Sequence, residues 1–122
     1  MISMLKEKNE VALFVRYCDL QNIMCVHVPN EFPLGGLRNK FAYINMLKSQ
    51  GYKKGFPDLI VFAKNKKHDM LFLEFKREKG GVVSKDQKDW IKWLQDAGYY
   101  ARVVKGNIEA VEVLDHYLKN LD

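Results

Sequence analysis

The chain has 122 residues, 48% of them hydrophobic, with 20 Lys+Arg against 15 Asp+Glu for a formal charge of +5 and a pI near 9.2. That is one domain's worth of chain, since domains cluster at ~100–150 residues, and the apolar share supports a core without metal or disulfide staples. No stretch approaches the ~18 apolar residues of a membrane span, and no low-complexity or repeated segment is present. The basic excess favours an anionic partner, nucleic acid above all, although a mildly basic protein with no such partner has the same balance.

Glu7 to Gln21 reads as a helix, with Val11, Phe14, Val15 and Cys18 recurring at helical spacing. Met24 to Val28 is a short β-rich run stopped by Pro29, and Asn30 to Gly36, with Pro33 and two glycines, is a loop. Leu37 to Gln50 is predicted as a second helix on a Leu37, Phe41, Ile44, Leu47 stripe, with Gly51 in the left-handed cap position. Asp58 to Ala63 is a continuous apolar run of the kind buried on both faces, and Met70 to Arg77 is the next strand. The polar link between them is too short for a crossover, which makes the two an antiparallel hairpin.

After a loop over Glu78 to Val83, Ser84 to Ala97 reads as a helix ended by Gly98. Tyr99 to Val104 is the fourth strand, and Asn107 to Leu121 the last helix, with Ile108, Val111, Leu114 and Leu118 on its stripe. The order α-β-α-β-β-α-β-α describes a single α/β domain, residues 1–122, with a mixed β-sheet flanked by helices. Cys18 and Cys25 lack metal-ligand spacing and read as buried free thiols of a reducing, cytoplasmic compartment.

The informative constellation is Gly55-Phe56-Pro57-Asp58, followed sixteen positions later (74 − 58) by Glu74-Phe75-Lys76. Side chains alternate along a strand, so Leu71, Leu73 and Phe75 share the core face while Phe72, Glu74 and Lys76 share the other. A hairpin turn at 64–69 brings Asp58 and Glu74 to corresponding levels, within reach of one cation. Hard carboxylate oxygens suit Mg²⁺ or Mn²⁺, and the lack of paired His or Cys argues against zinc. In such a site Lys76 orients or deprotonates the attacking water and offsets charge in the transition state. A lone Glu-x-Lys is more often a solvated surface pair; the coupling to Pro57-Asp58 between two apolar strands weighs against that here.

Gln87 falls one turn before Ile91 and Leu94, on the inward face of its helix, and also completes a Ser84-x-x-Gln87 capping box. The two roles are compatible. Trp90 and Trp93 read as core and helix-packing residues rather than base-stacking platforms. Glu10 stands at the shoulder of the first helix's apolar stripe and by itself is an ordinary surface glutamate. His27 ends the first strand and reads as structural. Lys53 and Lys54 precede Gly55, and with Arg38, Lys40, Lys85 and Lys88 they form a candidate phosphate-tracking rim, or else solvated lysines.

The string Gln50-Gly51-Tyr52-Lys53-Lys54-Gly55-Phe56-Pro57-Asp58-Leu59, then Glu74-Phe75-Lys76, Ser84-x-x-Gln87 and Trp90, resembles the virus-type replication-repair nuclease (VRR-Nuc) domain of the PD-(D/E)xK nuclease superfamily. The resemblance implies a metal held by Asp58, Glu74 and the Phe75 backbone carbonyl, with Lys76 catalytic, Gln87 supporting, and Glu10 reaching the metal through water. It matches Asn30-Glu31 to the family's polar cluster after the first strand. It further implies a stand-alone, phage- or prophage-type enzyme in a bacterial cytoplasm, paired as a homodimer. Such an enzyme uses Mg²⁺, with Mn²⁺ substituting, to cut branched DNA such as four-way junctions, leaving a 5′-phosphate and a 3′-hydroxyl. Two alternatives stay open: the same site acting on linear, flap or single-stranded DNA or on RNA, and a non-catalytic DNA-binding or recruitment module.

Overall fold

A computed structural model describes residues 2–30 and 34–119, with side chains from residue 8 onward. The elements follow the order α1 (Ile2–Leu20), β1 (Met24–His27), α2 (Lys40–Ser49), β2 (Leu59–Phe62), β3 (Leu71–Lys76), α3 (Lys85–Asp96), β4 (Tyr100–Lys105) and α4 (Gly106–Leu118). Glu31 and Pro33, and the Leu121 end expected for the last helix, lie outside the described residues.

The four strands form one sheet in the order β1-β2-β3-β4. β1 pairs antiparallel with β2, β2 antiparallel with β3, and β3 parallel with β4, the helical crossover α3 permitting the parallel step. The expected β2–β3 hairpin is present. Asn65 builds its turn by accepting the backbone N–H groups of Lys67 (2.9 Å) and His68 (2.8 Å), an Asx turn.

One sheet face, carrying Leu59, Val61, Leu71, Leu73 and Phe75, packs against Phe14 and Cys18 of α1 and Ala110, Leu114 and Tyr117 of α4. The other face is covered by α3, whose Leu94 meets Phe72 and Ala101. The α1 stripe over Val11, Phe14, Val15 and Cys18 is the one that packs. Cys18 and Cys25 are free thiols, and burial, aided by the neighbouring Cys25, pushes the Cys18 thiol up to about 12.

Several expectations need correction. The second helix starts at Lys40 rather than Leu37, because Asn39 caps it by accepting the Ala42 N–H at 2.9 Å. Its apolar stripe is only partly covered: Ile44 and Leu47 are half-buried, no α2 residue is fully buried, and Phe41 is 85% exposed. β2 is consequently not buried on both faces, since Leu59 and Val61 are buried while Ile60 is half-buried and Phe62 exposed. α4 turns Ala110, Leu114 and Tyr117 inward and leaves Ile108 and Leu118 exposed, the Tyr117 hydroxyl fixing that rotation by donating to the Ala63 carbonyl at 2.6 Å. Finally, Trp90 packs on Phe56, but Trp93 is 58% exposed and is not a core residue.

Candidate active site

Asp58 sits one residue before β2, after a buried Pro57, and its backbone carbonyl accepts the Val28 N–H at 2.7 Å. Leu59 pairs with Leu73, so one step further out Asp58 stands opposite Glu74. The Asp58 carboxylate accepts the backbone N–H of Phe75 at 2.8 Å. An extended residue sends its N–H and C=O to the same edge, so the Phe75 carbonyl also faces the Asp58 side, where β2 has ended.

Glu74 is 3% exposed, a buried carboxylate on the central strand β3. Burying such a charge costs several kcal/mol unless partners offset it. Gln87 is one partner, with Nε2 3.5 Å from Glu74 Oε2, a long hydrogen bond. The same side chain closes the capping box: Oε1 accepts the Ser84 N–H at 3.0 Å, and Ser84 Oγ accepts the Gln87 N–H at 3.2 Å. One side chain thus closes the cap of α3 and contacts Glu74.

Lys76 follows two residues after Glu74 on the same strand face and is half-buried. The chain folds back on its base at Gly81, where a Cβ would lie 2.9 Å from the Arg77 nitrogen and 3.1 Å from the Lys76 Cβ. Asp58, Glu74, Lys76, Gln87, Ser84 and Lys54 line one cleft of about 1340 Å³. Gly55, at φ +86°, lets the loop meet the first turn of α3: a Cβ there would stand 2.8 Å from Asp86 and 2.9 Å from the Gln87 nitrogen. Asn30 also lines the cleft and donates through Nδ2 to the Phe56 carbonyl, pinning the same loop to the end of β1.

Other sequence-predicted residues are not brought together. The Glu10 carboxylate accepts the Asn107 N–H in the first turn of α4 and is not part of the cleft wall. In this arrangement the N-terminus of α4 holds the Glu10 carboxylate. Of the basic rim, only Lys54 lines the cleft, and it pairs with Asp86 at 3.7 Å. Lys53 is exposed beside it; Arg38 and Lys40 sit at the start of α2, and Lys88 and Lys85 on α3, with Lys85 paired to Asp89 at 2.7 Å. In their place the cleft wall recruits Lys8, Asn9, Arg16 and His27. The first three share the non-core side of α1, but no motif marks them, and it is the packing of α1 beside the strand ends that brings them to the cleft.

A hard divalent cation fits this donor set. Two carboxylates line the same cleft from adjacent strand ends, one nearly fully buried, and the Phe75 carbonyl lies on the Asp58 side. Among the described residues no cluster of three or more His, Cys, Asp or Glu gathers, so the protein donors here are the two carboxylates and the carbonyl.

A mixed sheet with helices on both faces and this strand-end pair of carboxylates and lysine defines a PD-(D/E)xK-like nuclease fold. The chain belongs to the VRR-NUC domain family, whose profile matches residues 2–107. Two solved structures share the fold. A "VRR_NUC domain protein" superposes with a TM-score of 0.74 at 23% identity, covering 93% of this chain and 88% of its own. A "VRR_NUC domain" does so at 0.63 and 15% identity, covering 92% and 97%. No curated protein matches the chain. Family membership gives the domain a nuclease-type function with DNA as its substrate. Among the described residues no helix is long and apolar enough to cross a membrane.

Proposed function

We propose that this chain is a Mg²⁺-dependent DNA endonuclease, with Mn²⁺ able to substitute, whose centre is Asp58, Glu74, the Phe75 carbonyl and Lys76. The observation that carries the reading is the placement of Asp58 opposite a buried Glu74 at the wall of one cleft. When bound, the cation would supply Lewis acidity, drawing charge from the phosphoryl oxygens and lowering the pKa of water. Asp58 is held for that task by the Phe75 N–H, and Glu74 by Gln87. Lys76, on the Glu74 face, orients the attacking water and takes or shares its proton as the water oxygen bonds to phosphorus. The bond to the leaving 3′-oxygen breaks, and that oxygen takes a proton from solvent to become the 3′-hydroxyl beside a 5′-phosphate. Lys54 meets the phosphate backbone at the cleft mouth.

The reading extends to a homodimer acting on branched DNA. Supporting it is α2, which among the described residues has no fully buried residue and leaves Phe41 and Met46, with Leu37 just before it, exposed for a second copy. Cleavage of matched linear, flap, single-stranded and four-way substrates with Mg²⁺, Mn²⁺ or chelator tests the activity. Loss of cleavage in Asp58→Ala, Glu74→Ala and Lys76→Ala with retained binding supports it; cleavage by Asp58→Ala or in chelator sinks it. Molecular mass in solution for wild type and Phe41→Glu tests the dimer, which an invariant monomer mass rules out.

A further inference from the structure

The cleft has a second cationic wall that the cleavage chemistry leaves unused. Lys8, Asn9, Ala12 and Arg16 of α1 line it together with Asp58, Glu74 and Lys76, and all four α1 residues are exposed. At 3.6 residues per turn these positions fall within an arc of about 100°, beside the arc that buries Phe14 and Cys18. Lys8 and Arg16 stand about 12 Å apart along the helix axis, at ~1.5 Å per residue. Ala12 between them raises no bulk over the helix surface, so an extended ligand can approach closely.

Charges on an exposed helix are usually only solvated, and many face a counter-charge. Here Lys54, Lys85 and Lys92 each pair with an aspartate. Among the described residues, Lys8 and Arg16 form no such pair. Besides Asp58 and Glu74, the wall's acidic residue is Asp19, one turn beyond Arg16. Two unpaired cations in line on the wall of a phosphodiester-cutting cleft match a polyanion with regular spacing. One strand of a duplex presents a phosphate every ~3.4 Å of axis, so the pair spans about three to four phosphates.

We infer that Lys8 and Arg16 form a phosphate-binding track on α1 that positions the nucleic-acid strand flanking the scissile bond, with Asn9 offering a hydrogen bond to the same backbone. The inference rests on the nuclease reading of Asp58, Glu74 and Lys76. The two are positioning residues: they act on the strand beside the cut, not on the reacting phosphorus, and they carry no base information.

The test uses the full chain, a labelled DNA duplex, and Ca²⁺ in place of Mg²⁺ so that binding is measured apart from cutting. Lys8→Gln, Arg16→Gln, their double variant and Arg16→Lys are compared with Lys92→Gln, a charge change outside the cleft. Counterion release of ~0.9 per neutralised phosphate predicts a salt slope smaller by about 0.9, and binding weaker by about eightfold at ~0.1 M salt, for each cation removed. Arg16→Lys restores the slope, and in Mg²⁺ the loss falls on KM more than kcat. Because both residues are exposed, unchanged melting separates lost contacts from lost folding. Slopes and affinities equal to wild type, an equal change in Lys92→Gln, or a wild type that binds no DNA overturns the track. Wild type that binds through these residues yet never cuts sinks the nuclease reading alone, and cutting with unchanged slopes sinks the track alone.

Discussion

The Asp58 carboxylate accepts the Phe75 backbone N–H at 2.8 Å, so a side chain continues the β2–β3 ladder beyond the last backbone pair. Asp58 thus has a structural bond and a charge, and two substitutions separate them. An asparagine side chain would keep an oxygen for the Phe75 N–H, so Asp58→Asn is expected to unfold within about 0.5 kcal/mol of wild type, while Asp58→Ala loses about 1–2 kcal/mol from the orphaned donor. Both are expected to lose cleavage by about a hundredfold or more, because the charge that faces the cleft is gone. Chemical denaturation and Mg²⁺-titrated cleavage of the two variants measure each part; substantial cleavage by Asp58→Asn contradicts the role.

Gln87 joins the cap of α3 to Glu74 through one amide group. Removing it in Gln87→Ala opens the capping box, for an expected loss of about 1 kcal/mol whether Mg²⁺ is present or not. Gln87→Glu preserves a box-forming residue but sets a second carboxylate against the buried Glu74. Like charges at that range oppose folding until a cation binds. Thermal melts in chelator and in Mg²⁺ should therefore show a larger Mg²⁺-induced rise for Gln87→Glu than for wild type, and no extra rise for Gln87→Ala.

Gly55 and Gly51 both have left-handed φ values, +86° and +98°, but only Gly55 is crowded. Around Gly51 a Cβ meets nothing within 4 Å, so Gly51→Ala is expected to cost about 1–2 kcal/mol from backbone strain alone. Gly55→Ala adds a clash with the backbone of Asp86 and Gln87, for about 2–4 kcal/mol in total. The clash also pushes the first turn of α3 away from the strand ends, so cleavage should fall further than stability explains. Parallel melts and cleavage rates decide it: equal effects at the two glycines would mean that α3 is not held against this loop.

The strand-end pair was legible because it depends on alternation and register, which are local and periodic. Asp58, Glu74 and the hairpin followed from a polar turn between two apolar runs, and the dual role of Gln87 followed from its helical phase. Packing between distant elements was not legible. The Leu37, Phe41, Ile44, Leu47 stripe has the period of a buried helix, yet periodicity cannot say how much partner surface exists, and within the described residues no α2 side chain is fully buried. Tyr117 rotated α4 away from the most hydrophobic stripe through a hydrogen bond to Ala63, 54 residues away. Lys8 and Arg16 were hidden for a similar reason: they join the site through a cleft wall, not through a motif.

Burial pushes the Cys18 thiol up to about 12 from an ordinary 9.0, and raises that of Cys25 as well. The folded protein thus favours the protonated thiols. This contribution is intact below pH 9 and is lost as pH rises from about 9 to about 12, where an unfolded chain ionises first. Stability measured by denaturant at stepped pH should fall across that window, and less so in Cys18→Ala after allowing for its lower starting stability. Alkylation at about pH 8, below the ordinary thiol range, should be slow when folded and fast in denaturant; rapid reaction of the native protein would contradict the buried thiol.

Glu10 has a partner that the resemblance does not name. By motif it belongs to the metal; in the structure its carboxylate accepts the Asn107 N–H, and its Oε2 would be 3.4 Å from a Cβ added at Gly106. A helix N-terminus presents unpaired N–H groups and a partial positive charge, and α4 has no side-chain cap of its own at Lys105. A carboxylate from α1 fills that vacancy and ties the first and last helices together beside the cleft. Glu10→Ala is accordingly expected to cost about 1 kcal/mol, while Glu10→Gln keeps the acceptor and costs about half as much. If the helix terminus is its place, the Mg²⁺ concentration for half-maximal cleavage stays within about twofold of wild type in Glu10→Gln, since no charge near Asp58 and Glu74 has been lost. A severalfold rise in that concentration with unchanged melting would return Glu10 to the metal and require its side chain to leave Asn107 during the reaction.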